Sequence, residues 1–139
     1  MKQAVVALII KDGKILSISR RKDPDKFGLI GGKVDAGETI EQALYREVCE
    51  EAGIIVNEVC LVYQTMALKE YPDGEDFYCY CYYVMDWSGK LTASDEGRLE
   101  WLTTEEITGS KAAFGEYNRN TLNAFKELFP SVELIGELQ

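Results

Sequence analysis

The chain has 139 residues, of which 46% are hydrophobic and 28% are charged, and its net charge is −9 with a pI near 4.6. This composition is typical of a folded globular chain, and the length suits a single domain over residues 1–139. The excess of acids argues against a sequence-independent grip on a nucleic-acid backbone, so no nucleic-acid partner is expected. An acidic protein that handles phosphates needs cations between itself and its ligand.

No stretch of the sequence is suited to a membrane. The first apolar run covers only residues 4–10, which is too short for a bilayer span, and no small-residue cleavage site follows it. We therefore expect no membrane partner and a cytoplasmic location.

The four cysteines form no metal-binding or disulfide pattern, and the chain has no histidine, the commonest zinc ligand and general base.

The first part of the chain predicts a hairpin, a loop and a short apolar segment. Asp12-Gly13 is a strong hairpin turn signal. The elements are, in chain order, a strand at 3–10, a strand at 14–20, a basic polar loop at 20–26, an apolar segment at 27–30 and a glycine-bearing loop at 31–37.

A helix is predicted directly after the glycine-bearing loop. Thr39 and Gln42 have the spacing of a capping box, in which each side chain accepts a hydrogen bond from the other residue's backbone N–H. Gly53 is placed to end the helix, because glycine readily takes the left-handed conformation found just after a helix.

The second half of the chain predicts further strands and a second main helix. Tyr71-Pro72-Asp73-Gly74 is a turn signal between two strands. The segments are one or two strands at 54–69, an aromatic-rich strand at 76–87, a short strand at 98–102, a helix start at 103–106 and an amphipathic helix at 118–129. These segments predict a single mixed α/β domain with several strands and two main helices.

The first predicted helix is unusually acidic. Between residues 34 and 68 the chain carries seven acids, and Arg46 is the only base. At about 100° per residue, Glu47, Glu50 and Glu51 fall on one arc about 100° wide, next to the apolar arc that must be buried. Three carboxylates at the margin of a core are costly unless cations neutralise them, and such hard oxygen ligands suit Mg²⁺, Mn²⁺ or Ca²⁺. The alternative is an ordinary solvated face with an Arg46–Glu50 pair at i,i+4.

The loop and the helix together carry a specific spacing. The glycines of the loop let the backbone turn sharply and approach a ligand closely. With the helix they give the pattern G-x5-E-x7-R-E-U-x-E-E-x-G-U, where U is a bulky aliphatic residue. Its nine specified positions are Gly32, Glu38, Arg46, Glu47, Val48, Glu50, Glu51, Gly53 and Ile54. This stretch, residues 32–54, resembles the Nudix box at every fixed position, and the flanking order of strands and the C-terminal helix also resemble that family.

The resemblance to the Nudix family implies both a fold and an activity. The implied fold is an α/β/α sandwich around a mixed sheet, with the box forming loop–helix–loop. The implied activity is metal-dependent hydrolysis of a nucleoside diphosphate linked to another moiety, with Mg²⁺ as the cofactor and Mn²⁺ as an alternative. The expected partner is a small nucleotide, and the protein is expected to be a monomer or a homodimer.

The resemblance also implies roles for residues of the box. The implied metal ligands are the Gly31 carbonyl and the carboxylates of Glu47, Glu50 and Glu51. Glu47 is in addition a candidate base for the attacking water, and Glu50 is counted with it among the catalytic residues. Arg46 and Glu38 are implied to form a supporting ion pair that orients the catalytic helix, which is compatible with an Arg46–Glu50 pair.

Residues 27–39, FGLIGGKVDAGET, resemble the MutT-type branch, whose members cleave nucleoside triphosphates to a monophosphate and pyrophosphate. Proline is common in that branch at the position of Ile30, so the chain entering the box is expected to differ here. Members also carry a metal-facing acid at the end of a strand after the box, and Asp86 is the nearest acid. Glu96 and Glu100 are rivals for this role, and a plain surface acid is an equal alternative for each.

Base recognition in that branch uses an asparagine near the start of the C-terminal helix. Asn118 is the best-placed counterpart and Asn120 the second; an amide offers a donor and an acceptor to a purine edge, while a helix cap is an equal alternative. Phe27 is a candidate stacking residue and Lys33 a candidate substrate contact, although aromatic residues at strand spacing are more often core. The predicted substrate is a purine nucleoside triphosphate, either ordinary or oxidised.

Two other functions stay open. Dinucleoside polyphosphate hydrolases, one group of hydrolases acting on nucleoside diphosphate compounds, tend to carry a tyrosine some seventeen residues past the box, where Tyr71 lies. A Nudix-fold nucleotide-binding module without turnover is the alternative from another class. Such modules usually have a degraded box, whereas every catalytic carboxylate is present in this chain, which favours an enzyme.

Overall fold

The strands and helices of this chain are described by a computed structural model over residues 2–67, 77–136 and 138. In chain order these are β1 (Lys2–Leu8), β2 (Ile10–Lys11), β3 (Lys14–Ser19), β4 (Phe27–Lys33), α1 (Ile40–Ala52), β5 (Ile55–Ala67), β6 (Phe77–Ser88), β7 (Leu99–Leu102), a wide helical turn (Glu106–Ser110) and α2 (Gly115–Leu128). The predicted turn at 71–74, and with it Tyr71, lies outside the described residues. Within them, no helix is long and apolar enough to cross a bilayer.

The strands form one mixed sheet in the order β2-β3-β4-β1-β6-β5, and β7 pairs with β3. β1 pairs antiparallel with β4 and parallel with β6, so it lies inside the sheet. This position explains the nearly unbroken apolar run at residues 4–8, because a strand covered on both faces has no side that faces water.

Each face of the sheet is covered by one of the two helices. Successive residues of a strand point to opposite faces, and in β1 the side chains of Val5 and Ala7 join one core cluster while Leu8 joins the other. The first cluster contains Leu44 of α1, and the second contains Phe125 of α2. The α/β/α sandwich around a mixed sheet, implied by the box, is therefore confirmed.

The predicted ends of α1 are confirmed by its capping contacts. The Thr39 hydroxyl accepts from the Gln42 N–H at 3.1 Å, and the Gln42 side chain accepts from the Thr39 N–H at 2.9 Å. At the other end Gly53 has φ 71°, and its N–H donates to the Cys49 carbonyl at 2.9 Å. The helix that carries the acids is thus fixed at both ends by local sequence.

Three predicted boundaries were wrong. The strand predicted at 3–10 is two strands, because β2 pairs separately with β3 beyond the end of β1. Gly31 and Gly32, predicted to lie in a loop, belong to β4 and pair with β1; a Cβ on Gly31 would overlap the Val5 carbonyl oxygen, so glycine permits this close pairing. The second main helix begins at Gly115, three residues before its predicted start.

Gly37, at the end of the box loop, and Gly53, just after α1, provide a matched test of stability. Both have positive φ, 84° at Gly37 and 71° at Gly53, but a Cβ on Gly37 would meet open space, while one on Gly53 would lie 2.9 Å from Thr92 Cβ. Gly37→Ala should lower the free energy of unfolding by about 1–2 kcal/mol through the left-handed backbone alone. Gly53→Ala should cost at least about 1 kcal/mol more, since overpacking is added to the same strain. Urea unfolding of both variants measures the difference, and equal losses would contradict the packing argument.

Candidate active site

Three carboxylates from two parts of the chain meet beside β4. Glu47 and Glu51 lie one turn apart on α1, and Glu96 lies in the loop between β6 and β7; their carboxylate oxygens are within 4.8 Å of one another. Like charges at this distance repel one another unless a cation or a proton intervenes. Three hard oxygen donors are the ligand type that Mg²⁺ and related cations accept, so these residues fit a divalent cation.

Glu51 is the most buried of the three acids. Its side chain belongs to a residue that is only 6% exposed, and its Oε1 accepts the Gly31 N–H at 3.0 Å. Burial raises the pKa of Glu51 to about 9, and although the Gly31 N–H acts against this shift, the carboxylates of Glu47 and Glu96 add to it. Without a cation, Glu51 therefore keeps a proton at neutral pH, and a bound cation would replace that proton.

Glu96 completes the carboxylate cluster from a separate loop. Partial burial, together with the charges of Glu47 and Glu50, raises the pKa of Glu96, whereas the Arg21 guanidinium lowers it. Arg21 therefore lies near enough to the carboxylate cluster to act on its charge, which places a base of the 20–26 loop beside the acids.

Arg46 fixes the orientation of the catalytic helix against the loop that precedes it. Its Nε and Nη2 donate to the two oxygens of Glu38 at 2.7 and 2.9 Å, Nη1 donates to Glu47 Oε1 at 2.8 Å, and Nη2 also reaches the Lys33 carbonyl at 3.1 Å. The Arg46 hydrogen bond, followed by the Asp35 N–H, lowers the pKa of Glu38 to about 2. Glu38 thus stays ionised, and one guanidinium holds it and Glu47 in fixed positions.

Gly32 leaves the space that the Glu47 carboxylate occupies. A Cβ at position 32 would lie 2.6 Å from the Glu47 carboxyl carbon, so any side chain there would displace this acid. The first glycine of the box therefore has a packing reason beyond backbone freedom.

Two of the acids predicted as metal ligands lie outside this cluster. Glu50 is half exposed and approaches Arg46 Nη1 at 3.4 Å, because one residue along α1 turns its side chain about 100° away from Glu51. Asp86 is exposed on β6, where it accepts from Asn57 Nδ2 at 3.1 Å. The acid supplied from beyond the box is Glu96, in the loop after β6; Glu100 instead approaches Arg98 at 3.7 Å.

The main cleft of the protein, about 900 Å³ in volume, opens from the carboxylate cluster toward α2. Glu51, Glu96 and Gly31 line one part of it, next to a set of basic side chains from β4 and the loop before it: Arg20, Arg21, Lys22, Lys26 and Lys33. The other part is lined by aromatic side chains and an amide: Phe77, Phe114, Tyr117 and Asn118. A cleft of this volume with basic groups at one end and aromatic groups at the other suits a nucleotide.

Asn118 is held in a fixed orientation at the aromatic end of the main cleft. It is 1% exposed, and its Nδ2 donates to the Ile107 carbonyl at 2.9 Å. That carbonyl is available because the N–H groups of Lys111 and Ala112 donate to other carbonyls of the wide turn. No other partner of this amide lies among the described residues, which leaves one N–H and the oxygen for a ligand. Asn120 is exposed on the same helix.

Phe27, predicted to stack on a base, belongs to the core. It is 2% exposed, lies in the cluster with Leu122 and Phe125, and does not line the main cleft. Its backbone bonds to Lys111 and Ala113 set its ring inward, which no local sequence pattern reveals. Lys33, by contrast, lines the cleft.

Comparisons with known proteins agree with this geometry. The NUDIX domain family matches residues 1–125. The chain is 35% identical over 109 residues to an Escherichia coli CTP pyrophosphohydrolase, covering 76% of this chain and 78% of that protein. It is 28% identical over 112 residues to a Danio rerio oxidized purine nucleoside triphosphate hydrolase, covering 79% and 71%. A solved MutT NUDIX hydrolase from Burkholderia pseudomallei is 31% identical, with 73% and 81% covered and a TM-score of 0.65.

The chain therefore belongs to the Nudix family and is a hydrolase of nucleoside diphosphate compounds. Enzymes of this family use a divalent metal ion, and the carboxylate cluster of Glu47, Glu51 and Glu96 fits that requirement.

The raised pKa of Glu51 predicts how metal-free stability depends on pH. Between the unfolded pKa near 4.5 and the folded value of about 9, the native state binds more protons than the unfolded state, so stability falls as pH rises. The fall attributable to this one proton is at most about 1.4 kcal/mol per pH unit. Denaturant unfolding in EDTA should therefore show a flatter pH dependence for Glu51→Gln than for the wild type.

The matched control is Glu41→Gln, which removes one charge from an exposed position of the same helix. Its pH dependence should follow that of the wild type. If both variants flatten the profile equally, net charge rather than burial of Glu51 causes the effect.

Proposed function

We propose that this Nudix hydrolase converts a purine nucleoside triphosphate to the nucleoside monophosphate and pyrophosphate, with Mg²⁺ as its cation and Mn²⁺ as an alternative. The observation that carries the proposal is that Glu51 and Glu96 of the carboxylate cluster line one cleft with the anchored amide of Asn118 and a set of basic side chains. The triphosphate would lie among the basic side chains near Glu51 and Glu96, and the nucleobase would lie between the aromatic side chains.

The choice among purine bases is inferred from the state of the Asn118 amide, while the purine class itself follows from the resemblance to the MutT-type branch. One N–H is used by the Ile107 carbonyl, which leaves one N–H and one oxygen. Adenine presents N6–H and N7 side by side, which is a complementary donor and acceptor. Guanine oxidised at C8 also presents a donor beside an acceptor, because its N7 carries a hydrogen and O6 accepts, whereas ordinary guanine offers two acceptors. We therefore propose adenine or C8-oxidised guanine as the preferred base.

The reaction forms one bond and breaks one bond. The oxygen of a water molecule bonds to the phosphorus next to the nucleoside, and the bridging P–O bond breaks so that pyrophosphate leaves with the electron pair. Glu47, Glu51 and Glu96 would hold the divalent cation, which supplies positive charge for the phosphate oxygens and lowers the pKa of water. Glu47 would take the proton of the attacking water, since Arg46 fixes its carboxylate and the chain has no histidine to serve as base.

The similar proteins support the type of reaction, but their names differ in the nucleobase of the substrate. The Escherichia coli relative is a CTP pyrophosphohydrolase and the Danio rerio relative acts on oxidized purine nucleoside triphosphates.

The free cysteines of the chain, Cys49, Cys60, Cys79 and Cys81, support a reducing compartment, and we propose the cytoplasm as the location of the protein.

Replacing Glu47, the proposed general base, tests the reaction. Glu47→Gln keeps the size of the side chain but removes its charge, so kcat with Mg²⁺ should fall on the order of 10²–10⁴-fold while the fold is retained. Glu41→Gln, in an exposed position outside the carboxylate cluster, should stay within about twofold of wild type. Chromatography should resolve monophosphate and pyrophosphate as products. Activity that survives EDTA, or diphosphate and phosphate as products, would contradict the proposal.

Replacing the proposed base-reading amide tests specificity. Asn118→Ala should reduce discrimination between ATP and GTP by roughly 5- to 150-fold in kcat/KM, because a lost hydrogen bond in a buried site costs about 1–3 kcal/mol. Circular dichroism should check that the loss of the Ile107 contact leaves the fold intact. Asn120→Ala, on the exposed side of the same helix, should leave the ATP to GTP ratio unchanged. The reverse result would move the base-reading role to Asn120.

A further inference from the structure

The residues that follow α2 pack back across the protein. Val132 and Leu134 are partly buried against the core cluster under α2, and Leu138 joins them further along the chain. Residues 129–136 are called the tail segment below. Between its apolar contacts, the tail segment passes between the turn that joins β2 to β3 and the residues that lead into the wide turn.

Ile135 joins the tail segment to both of these places through its backbone. Its N–H donates to the Gly13 carbonyl in the hairpin turn at 2.9 Å, and its own carbonyl accepts from the Thr104 N–H at 2.9 Å. The side chain of Ile135 packs on Gly13, where a Cβ would come within 2.8 Å of Ile135 Cγ1. Because Thr104 is buried, its N–H needs this carbonyl, since a buried donor without a partner is unfavourable.

Gly136 adds a second contact to the start of the wide turn. It has φ 90°, and a Cβ there would lie 3.1 Å from the Glu105 nitrogen and 3.5 Å from Thr103 Cβ. The backbone of the tail segment therefore lies against the residues that lead into the turn, and glycine allows this approach because it has no side chain.

The far end of the wide turn is held by β4. The Lys111 carbonyl accepts from the Phe27 N–H at 2.8 Å, and the Ala113 N–H donates to the Phe27 carbonyl at 2.9 Å. The turn is consequently fixed by the sheet at one end and by the tail segment at the other.

The hydrogen bonds between these two ends decide the partner of the Ile107 carbonyl. The Lys111 N–H donates to the Glu106 carbonyl at 2.9 Å, which is the spacing of a π-helix. In the commoner α-helical spacing the same N–H would donate to the Ile107 carbonyl, which here accepts from Asn118 Nδ2. The wide spacing therefore keeps a competing donor away from the carbonyl that holds the amide.

We propose that the tail segment, through Ile135 and Gly136, is a positioning element for nucleobase selection. By holding the start of the wide turn, it maintains the spacing that leaves the Ile107 carbonyl to the Asn118 amide. This inference rests on the proposed function, because the orientation of the amide matters to selection only if the amide reads the base. Ile135 and Gly136 do not line the main cleft, so they act through the turn.

Gly136→Ala tests the proposal in the full chain. The added Cβ presses on Glu105 and the left-handed backbone becomes strained, so the tail segment should move away from the turn. The ratio of kcat/KM for ATP to that for GTP should fall roughly 2- to 30-fold, through KM, as is typical of residues that act on a site through their neighbours. The kcat for ATP should stay within about twofold of wild type, because no group near the attacked phosphorus changes.

The matched control is Gly89→Ala. Gly89 also has a positive φ, 96°, but a Cβ there would be in ordinary contact at 3.7 Å from Ile54 Cα, in the segment after α1. This variant imposes the same backbone strain and should leave the ATP to GTP ratio unchanged. The proposal is overturned if Gly136→Ala keeps the wild-type ratio, or if both variants lower it equally.

A measurement on the amide itself separates this inference from the proposed function. In ¹H–¹⁵N spectra, the side-chain NH₂ signal of Asn118 is identified by its loss in Asn118→Ala. The signal should shift and exchange faster with solvent in Gly136→Ala and in Ile135→Pro, which lacks the N–H that bonds to Gly13.

The two possible failures give different results. A shifted signal in a protein without any base preference would reject the base-reading role of Asn118 and keep the control of its amide by the tail segment. A base preference that Asn118→Ala removes, with the signal and the ratio unmoved in both tail variants, would keep the proposed function and reject the role of the tail segment.

Discussion

The hydrogen bonds of Arg46 are the interaction on which the rest of the site depends. This guanidinium reaches back to Glu38 in the box loop, sideways to Glu47 on its own helix and across to the Lys33 carbonyl at the end of β4. Loop, helix and strand are consequently held in one arrangement around a charged centre. Because side chains that must meet a ligand in one geometry cannot be left mobile, such a network pre-organises the acids before any ligand arrives.

The acids beside Arg46 have the opposite effect on the fold. Glu51 is buried next to two other carboxylates, which is unfavourable in the metal-free protein and raises its pKa. The protein tolerates this arrangement because α1 is capped at both ends and packs on the sheet through its apolar stripe. Stability supplied by the core thus supports a local arrangement that is useful only when a cation is present.

The features that the sequence predicted well are those written in local spacing. The capping box at Thr39 and the end of α1 at Gly53 depend on residues a few positions apart, so a pattern along the chain can reveal them. The Arg46–Glu38 pair, which the structure contains, was instead implied by the resemblance to the Nudix box. Asp86 and Glu96 show the limit. Which of them meets Glu47 depends on how the loop after β6 folds back over α1, and no spacing encodes that path. Local spacing also does not show that Phe27 is buried in the core, since its position depends on backbone contacts with Lys111 and Ala113.

The wide turn at Glu106–Ser110 has a consequence for the nearby Asn118 amide. This turn frees the Ile107 carbonyl, which in turn decides how the Asn118 amide is oriented. Loss of one residue from the turn would let an ordinary helix form, in which that carbonyl bonds within the helix and releases the amide. If Asn118 reads the nucleobase as proposed, a single-codon deletion would then change nucleobase preference among descendants of this enzyme without altering any side chain of the proposed nucleotide site.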